Sequence, residues 1–206
     1  MSNAAPDLLP DSLEPAWDIA RLFPPQGGWS EEEYLRLPGN HLSEFDQGRI
    51  EVLTMPSELH QLLVAALYCA LPAFVEPRGL GTVLFAPFPV KLWDGKLREP
   101  DVLFMGREHA ARRRGNHCLG ADLVMEVISP DDRRRDTEVK RREYALAGIP
   151  EYWLIDSDAP TVIVLVLDPA SRVYREHGRF VPGDVATSPT LEGFGVDVTS
   201  LFDTAS

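Results

Sequence analysis

The chain of 206 residues is long enough for one domain with a core that needs no disulfide or structural metal. Its two cysteines, Cys69 and Cys118, have no CxxC spacing, which argues against a zinc module or a disulfide framework and fits a reducing cytosol. A net charge of −12 weighs against the basic footprint of non-specific nucleic-acid binding, although residues 107–142 hold half of the 20 basic side chains.

The first segment of the chain differs in composition from the rest. Residues 1–28 are rich in proline and small residues, which predicts an extended, partly disordered arm ahead of a single domain at residues 29–206. The start lacks the charged segment and apolar core of a secretory signal. Proline or charge interrupts the longest apolar stretches well short of a membrane span. We therefore expect a soluble cytoplasmic protein that does not contact a membrane.

Capping signals and hydrophobic periodicity predict the first elements. Ser30 and Glu33 form a capping box, which is typical of a helix start. Apolar residues after Ser57 recur with the 3.6-residue period of a buried helix, and Cys69 within this run is expected to be a small buried hydrophobe. These signals predict a short helix over 31–36, a hairpin of strands 41–46 and 49–55, and a long helix from Ser57 to about Val75.

The rest of the chain alternates between apolar runs and one further long helix. An Asp94-Gly95 turn between apolar runs indicates a hairpin. Gly148 and Pro150 end a second helix in the expected order. The predicted elements are strands at 82–85, 88–93, 97–105, 122–128, 152–155, 161–167 and 173–176, an Arg-rich helix at 107–114, and a helix from Ser129, Asp131 or Asp132 to Ala147. We expect a mixed α/β fold, with a central mixed sheet flanked by helices and β-hairpins towards both ends.

Two carboxylates in apolar strands indicate a cation site. Asp101 heads the apolar run Val102-Leu103-Phe104, and Glu126 lies within a strand that is apolar on both sides. Burying an ionised carboxylate is costly unless it is paired or holds a cation. If the two strands are neighbours, both carboxylates can meet at one hard cation, and Mg²⁺ suits oxygen ligands, retained water and a substrate phosphate.

The helix after Glu126 offers a basic group for such a site. Asp136, Lys140 and Glu143 share one helical stripe by their spacing. Lys140 could assist an attacking water or the phosphate. The alternative is a surface ion pair with Asp136, worth about 0.3–0.5 kcal/mol.

Several motifs together resemble one enzyme superfamily. The chain is similar to the PD-(D/E)XK nucleases, and more closely to their bacterial Uma branch of restriction-endonuclease relatives, from about residue 30 onward. The motifs that carry the resemblance are Glu31-Glu32-Glu33-Tyr34-Leu35, Glu99-Pro100-Asp101-Val102-Leu103-Phe104, Leu123-Val124-Met125-Glu126-Val127-Ile128-Ser129-Pro130, Lys140-Arg141-Arg142-Glu143-Tyr144-Ala145 and Gly148-Ile149-Pro150-Glu151-Tyr152-Trp153-Leu154-Ile155-Asp156.

The resemblance implies a restriction-endonuclease-like fold and a metal-dependent nuclease site. It implies Asp101 and Glu126 as ligands of Mg²⁺, for which Mn²⁺ can substitute, with the Val127 carbonyl as a third ligand. The parent superfamily has its lysine two residues after the glutamate, where this chain has Ile128; the Uma branch takes it from the following helix, at Lys140.

The resemblance also extends to the first hairpin and to the partners. Glu44 matches an acidic position near the site, whereas Arg49 stands where the branch often has another acidic residue. DNA is the implied substrate, and a homodimer the implied assembly. Two alternatives stay open: a binding or assembly protein that keeps the fold without cleaving, and a phosphodiesterase that acts on a small nucleotide.

Other polar residues have weaker claims. His60, at the start of the long helix, matches a position where relatives often have a histidine, but packing or hydrogen bonding at the helix start explains it as well. The arginine runs at 112–114 and 133–135 could bind phosphates or could serve solubility and subunit contacts. Tyr152 and Trp153 are expected in the core.

Overall fold

The computed structural model describes residues 23–37, 42–129 and 133–203. Most of the predicted arm, and the proposed helix starts at Asp131 and Asp132, lie outside these residues. The helices are α1 (Glu31–Leu35), α2 (Glu58–Val75), α3 (Arg141–Ala147) and α4 (Val198–Asp203), with a 3₁₀ helix at Arg107–Arg112 and a π-helical turn at Arg135–Lys140. The strands are β1 (Ser43–Asp46), β2 (Arg49–Val52), β3 (Gly81–Phe85), β4 (Val90–Trp93), β5 (Lys96–Arg98), β6 (Val102–Gly106), β7 (Cys118–Leu119), β8 (Leu123–Ile128), β9 (Glu151–Asp156), β10 (Thr161–Asp168), β11 (Val173–Phe180), β12 (Val185–Thr187) and β13 (Gly195–Asp197).

A six-stranded mixed sheet forms the centre of the fold, as predicted. Its strand order is β11-β10-β9-β8-β6-β3. The middle pair, β8 and β9, is parallel, and the other pairs are antiparallel. All residues of β8 and β9 are buried, and apart from Glu126, Glu151 and Asp156 they are apolar or aromatic.

The first hairpin belongs to a second sheet, which the sequence did not predict as separate. This five-stranded sheet has the order β2-β1-β5-β4-β7. The single strand predicted at 97–105 is wrong, because the chain leaves this sheet after Arg98 and enters the six-stranded sheet at Val102. Pro100 lies at the crossing and has no amide hydrogen to continue a ladder. Asp101 is therefore placed at the junction of the two sheets.

The long helix α2 covers one face of the six-stranded sheet. Ser57 accepts a hydrogen bond from the His60 amide, which confirms the predicted cap. Leu63, Leu67 and Leu71 are fully buried in the principal core with strand residues of the six-stranded sheet. Cys69 lies on the opposite side and is exposed, so its predicted burial is wrong.

By length and composition α2 could also cross a membrane, contrary to the expected shortness of the apolar stretches. Core helices of soluble proteins have the same properties. The contacts of α2 in the described chain are with the core of this domain.

The helix that follows β8 differs from a regular α-helix. Residues 135–140 form a π-helical turn before α3 continues to Ala147. Gly148 then adopts a left-handed conformation with φ of 81°, as predicted for a glycine that ends a helix. The π turn determines the direction of the side chains that approach β8 from this helix.

The C-terminal part contains elements that the sequence did not predict. The hairpin of β10 and β11 is confirmed, and a second pair, β12 and β13, follows it with α4. Leu191, Phe194 and Leu201 from this part join the principal core next to Trp153. The C-terminal segment therefore completes the core at the α2 face.

The core contribution of α2 can be tested with a matched pair of leucines. Leu67 is fully buried and Leu62 is 37% exposed on the same helix. Leu67→Ala should lower the free energy of unfolding by about 2–5 kcal/mol, because it leaves a cavity. Leu62→Ala should cost less than about 1 kcal/mol. Urea unfolding measures both, and equal costs would contradict this packing.

Candidate active site

The pairing of β6 with β8 brings Asp101 and Glu126 together. The two strands are antiparallel neighbours with Val102 opposite Met125, so the adjacency assumed for the cation site is confirmed. Asp101 lies two residues before Leu103, and Glu126 lies two residues after Val124. Leu103 and Val124 pack in the same core cluster. Because side chains alternate along a strand, both carboxylates belong to one face of the sheet.

The Asp101 carboxylate is tied to the backbone of β8. Its Oδ2 accepts a hydrogen bond from the Val127 amide at 2.8 Å. In an antiparallel ladder the N–H and C=O of one residue point to the same neighbour. The Val127 carbonyl is therefore directed to the edge where Asp101 lies, as the predicted third ligand requires.

Glu126 is buried and held by two groups from the helical segment that follows. Lys140 Nζ donates to its Oε2 at 2.9 Å, and the Tyr144 hydroxyl donates to Oε1 at 2.6 Å. Burial raises the pKa of the Glu126 carboxyl, and the charges of Asp101 and Asp136 add to this effect while Lys140 opposes it. The site therefore contains more negative charge than its own lysine neutralises.

Lys140 reaches Glu126 because the π turn and α3 cover this face of the sheet. Its Nζ lies 3.1 Å from Asp136 Oδ1 and 3.9 Å from Glu44 Oε1, and the residue is 6% exposed. The ion pair with Asp136 that the spacing suggested is therefore formed, but it is buried and does not lie on the surface. Burial by itself would lower the pKa of Lys140, but the surrounding carboxylates raise it above the ordinary value.

Glu44 lies beside Lys140 and anchors a buried cluster. Arg98 and Arg135 both form ion pairs with its carboxylate, and the Glu99 amide donates to Oε1 at 3.2 Å. Burial alone would raise the pKa of Glu44, but Lys140, Arg98 and Arg135 lower it to about 2. This carboxylate is charged and fully compensated, unlike Glu126.

Two further side chains flank Asp101, and one of them was not singled out from the sequence. His60 Nε2 lies 3.3 Å from Asp101 Oδ2, and its Nδ1 is buried without a hydrogen-bond partner among the described residues. Glu99 accepts from the Tyr34 hydroxyl at 3.1 Å through Oε1, whereas its buried Oε2 has no such partner in the same ranges. Burial raises the pKa of Glu99 to about 7. Glu99 could have been recognised as a candidate site residue from the sequence, because it directly precedes Pro100-Asp101.

The donor atoms fit a hard divalent cation. Mg²⁺ takes oxygen donors, and the site offers several of them. They are the carboxylates of Asp101 and Glu126, the Val127 carbonyl and the unpartnered Oε2 of Glu99. Within residues 23–37, 42–129 and 133–203, no three His, Cys, Asp or Glu side chains form a ready metal-ligand group. A cation here would thus be held by one or two carboxylates and complete its shell with water or substrate, as Mg²⁺ commonly does.

The second arginine run is engaged within the fold. Arg133 pairs with Asp156 through two hydrogen bonds of 2.6 and 2.8 Å, and Arg134 pairs with Glu138. Arg135 pairs with Glu44 and Glu51. These contacts favour a structural role for the run over phosphate binding.

The site opens into a pocket of about 270 Å³. Asp101, Glu126 and Lys140 line it together with His60 and Glu99. The rest of the lining is mixed. Leu53, Met55 and Pro56 are apolar, whereas α2 contributes the polar side chain of Gln61 beside Val64.

The fold is shared with a protein of known structure. The chain is similar to the crystal structure of a protein from Anabaena variabilis described as "a putative nuclease belonging to DUF820", with a TM-score of 0.70. The similarity covers 85% of this chain and 98% of that chain at 20% sequence identity. At this identity the likeness establishes the shared fold.

The sequence comparison then identifies the family. Residues 31–199 match the family Uma2, described as "putative restriction endonuclease". The chain belongs to this family, as the motifs indicated. No curated protein matches the chain at a significant level. The family supports a nuclease-like function.

The Glu44 cluster generates a test of stability. Glu44→Gln should lower the free energy of unfolding by about 3–5 kcal/mol, because it leaves buried arginine charge uncompensated. Glu51→Gln is a matched control, since Glu51 contacts the same two arginines but its side chain is 36% exposed. The control should cost less than about 1 kcal/mol. Similar losses in urea unfolding would contradict the cluster described here.

The Glu44 carboxylate also predicts how the stability of the fold depends on pH in the acid range. The pKa of Glu44 is lowered from 4.5 to about 2, so its contribution to stability is complete above about pH 4.5 and is lost as the pH falls towards 2. Urea unfolding of the wild type across this range should show a steeper loss than that of Glu44→Gln. Parallel curves for the two proteins would show that Glu44 is not the titrating group.

Proposed function

We propose that the protein is a Mg²⁺-dependent endonuclease that hydrolyses phosphodiester bonds in DNA, with Mn²⁺ able to substitute. Asp101, Glu126 and the Val127 carbonyl hold the metal, and Lys140 assists the attacking water or the phosphate. The observation that carries the proposal is the contact of Lys140 with Glu126 beside Asp101 in one buried pocket. Lys140, from the following helix, thus supplies the positive charge that the side chain of Ile128 lacks.

The residues of the chain have separate tasks in this reaction. The Val127 amide and His60 orient the Asp101 carboxylate, and the Tyr144 hydroxyl orients that of Glu126. When bound, the metal supplies Lewis-acid polarisation of a phosphoryl oxygen and a lower pKa for its water. Lys140 keeps its proton, because four carboxylates raise its pKa, and it therefore acts as a fixed positive charge and hydrogen-bond donor.

Glu44 acts on the reaction through Lys140 and the arginines in this proposal. Its carboxylate accepts bonds from Arg98 and Arg135 and lies 3.9 Å from Lys140. It thereby limits the positions that the lysine ammonium can take. Its place near the site agrees with the position implied by the resemblance, and its compensated charge favours positioning over metal binding.

Assembly and location belong to the same proposal. A homodimer would present two such sites to one DNA molecule. Sedimentation in the analytical ultracentrifuge measures the oligomeric state directly. The protein is expected to act in the cytoplasm. Because its net charge is −12, it repels DNA as a whole, and DNA must therefore be bound locally at the site.

Asp101→Asn tests the proposal with little change of shape. Cleavage of DNA with Mg²⁺ or Mn²⁺ should fall about 100-fold or more, because the metal loses a charged ligand. The midpoint of thermal unfolding should stay the same or rise, since the replaced carboxylate adds to an excess of negative charge. Asp94→Asn, at a fully exposed side chain, is the control and should leave both values unchanged.

Calorimetric titration with Mn²⁺ separates this function from a non-cleaving binding protein. We expect binding by the wild type that disappears in Asp101→Asn. Absence of cleavage across DNA substrates and metals would overturn the enzymatic proposal. Absence of metal binding as well would favour the non-cleaving alternative.

A further inference from the structure

An apolar groove continues from the carboxylate pocket along the second sheet. It has a volume of about 800 Å³. Residues 42, 53, 55, 56, 61 and 86 line both the pocket and the groove, so the two spaces form one surface. A ligand with its phosphate at the carboxylate site therefore has its adjoining part in the groove.

The chemistry of the groove differs sharply from that of the pocket. Of the described residues that line it, none is charged. Phe23 and Trp29 stack with ring centroids 5.6 Å apart and an angle of 21° between their planes. Val52 and Met55 are 82% and 81% exposed. Such a surface suits a flat, neutral and apolar group, and it offers no partner for a phosphate.

The cations that line the pocket are already paired. Arg135 contacts Glu44 and Glu51, and Lys140 contacts Glu126. Duplex DNA is bound mainly through basic side chains that follow its phosphates. The described surface that adjoins the carboxylates lacks a run of basic side chains that could follow both strands of a duplex. It carries instead the stacked rings of Phe23 and Trp29, and unpaired bases stack on aromatic rings of this kind.

We propose that the site takes single-stranded DNA, with an unpaired base in the groove and its phosphate at the Asp101 and Glu126 carboxylates. This assignment rests on the proposed function for the place of the phosphate. The phosphate needs a cation between it and the carboxylates, and the base needs only apolar and aromatic contact. Gln61 lines both spaces and can hydrogen-bond the edge of the base or its sugar.

Binding of labelled oligonucleotides of about 12 nucleotides tests the proposal. Anisotropy is measured on the full chain with Ca²⁺, as a single strand, as a duplex of the same sequence and as a dinucleotide. The single strand should bind at least about tenfold more tightly than either competitor. Binding of the duplex or of the dinucleotide with equal affinity would overturn the proposal. Because this readout needs no cleavage, an inactive enzyme would still give the answer.

Matched variants separate the groove from a general surface effect. Met55→Glu should weaken single-strand binding by about fivefold or more, because it places a negative charge in the apolar groove next to the site of the phosphate. Val173→Glu, at a 56% exposed valine on β11, is the control and should have no effect. Unchanged binding by Met55→Glu would overturn the proposal.

Tryptophan fluorescence gives an independent readout of stacking. Binding of the single strand should quench emission in the wild type, and the quench should shrink in Trp29→Phe while affinity is kept by the second aromatic ring. Two outcomes would assign the groove to another occupant. A dimer that dissociates in Met55→Glu would assign it to a second copy, and stronger binding after removal of residues 1–22 would assign it to that arm.

Discussion

The need to compensate buried carboxylates determines how this site is built. Glu126 lies in a fully buried central strand, and Lys140 and Tyr144 reach it from the helical segment that covers the same face. Glu44, by contrast, is satisfied by two arginines and a backbone amide. The two clusters meet at Lys140. The first retains a surplus of negative charge that a cation could relieve, and the second supplies rigidity.

The crossing of the chain between two sheets gives the site its location. The backbone leaves the five-stranded sheet at Arg98 and joins the six-stranded sheet at Val102. The residues between them are free of ladder pairing and can direct side chains into the junction. Glu99 and Asp101 both line the pocket as a result. A proline between them prevents the two strands from merging into one.

The sequence predicted those residues of the site that can be recognised from their immediate neighbours in the chain. A carboxylate in an apolar strand is conspicuous by itself, so Asp101 and Glu126 were found from their neighbours in the chain. The burial of Lys140 and the arginine partners of Glu44 arise from contacts between distant segments, which periodicity does not encode. The exposure of Cys69 depended on which side of α2 met the sheet. Short strands such as β12 and β13 leave too few alternating residues for a reliable signal.

The π-helical turn before α3 makes the contact between Lys140 and Glu126 sensitive to the length of this segment. A π turn holds one residue more than the α turn it replaces and shifts every later side chain around the helix axis. Lys140 is delivered through that extra residue, from a segment that is separate from the strand holding Glu126. The place of this ammonium group in space is therefore determined by the geometry of the helical segment and not by the strand that holds its partner. One residue added to or removed from the turn would rotate Lys140 by about 100° around the helix axis and separate it from Glu126, while β8 would stay unchanged.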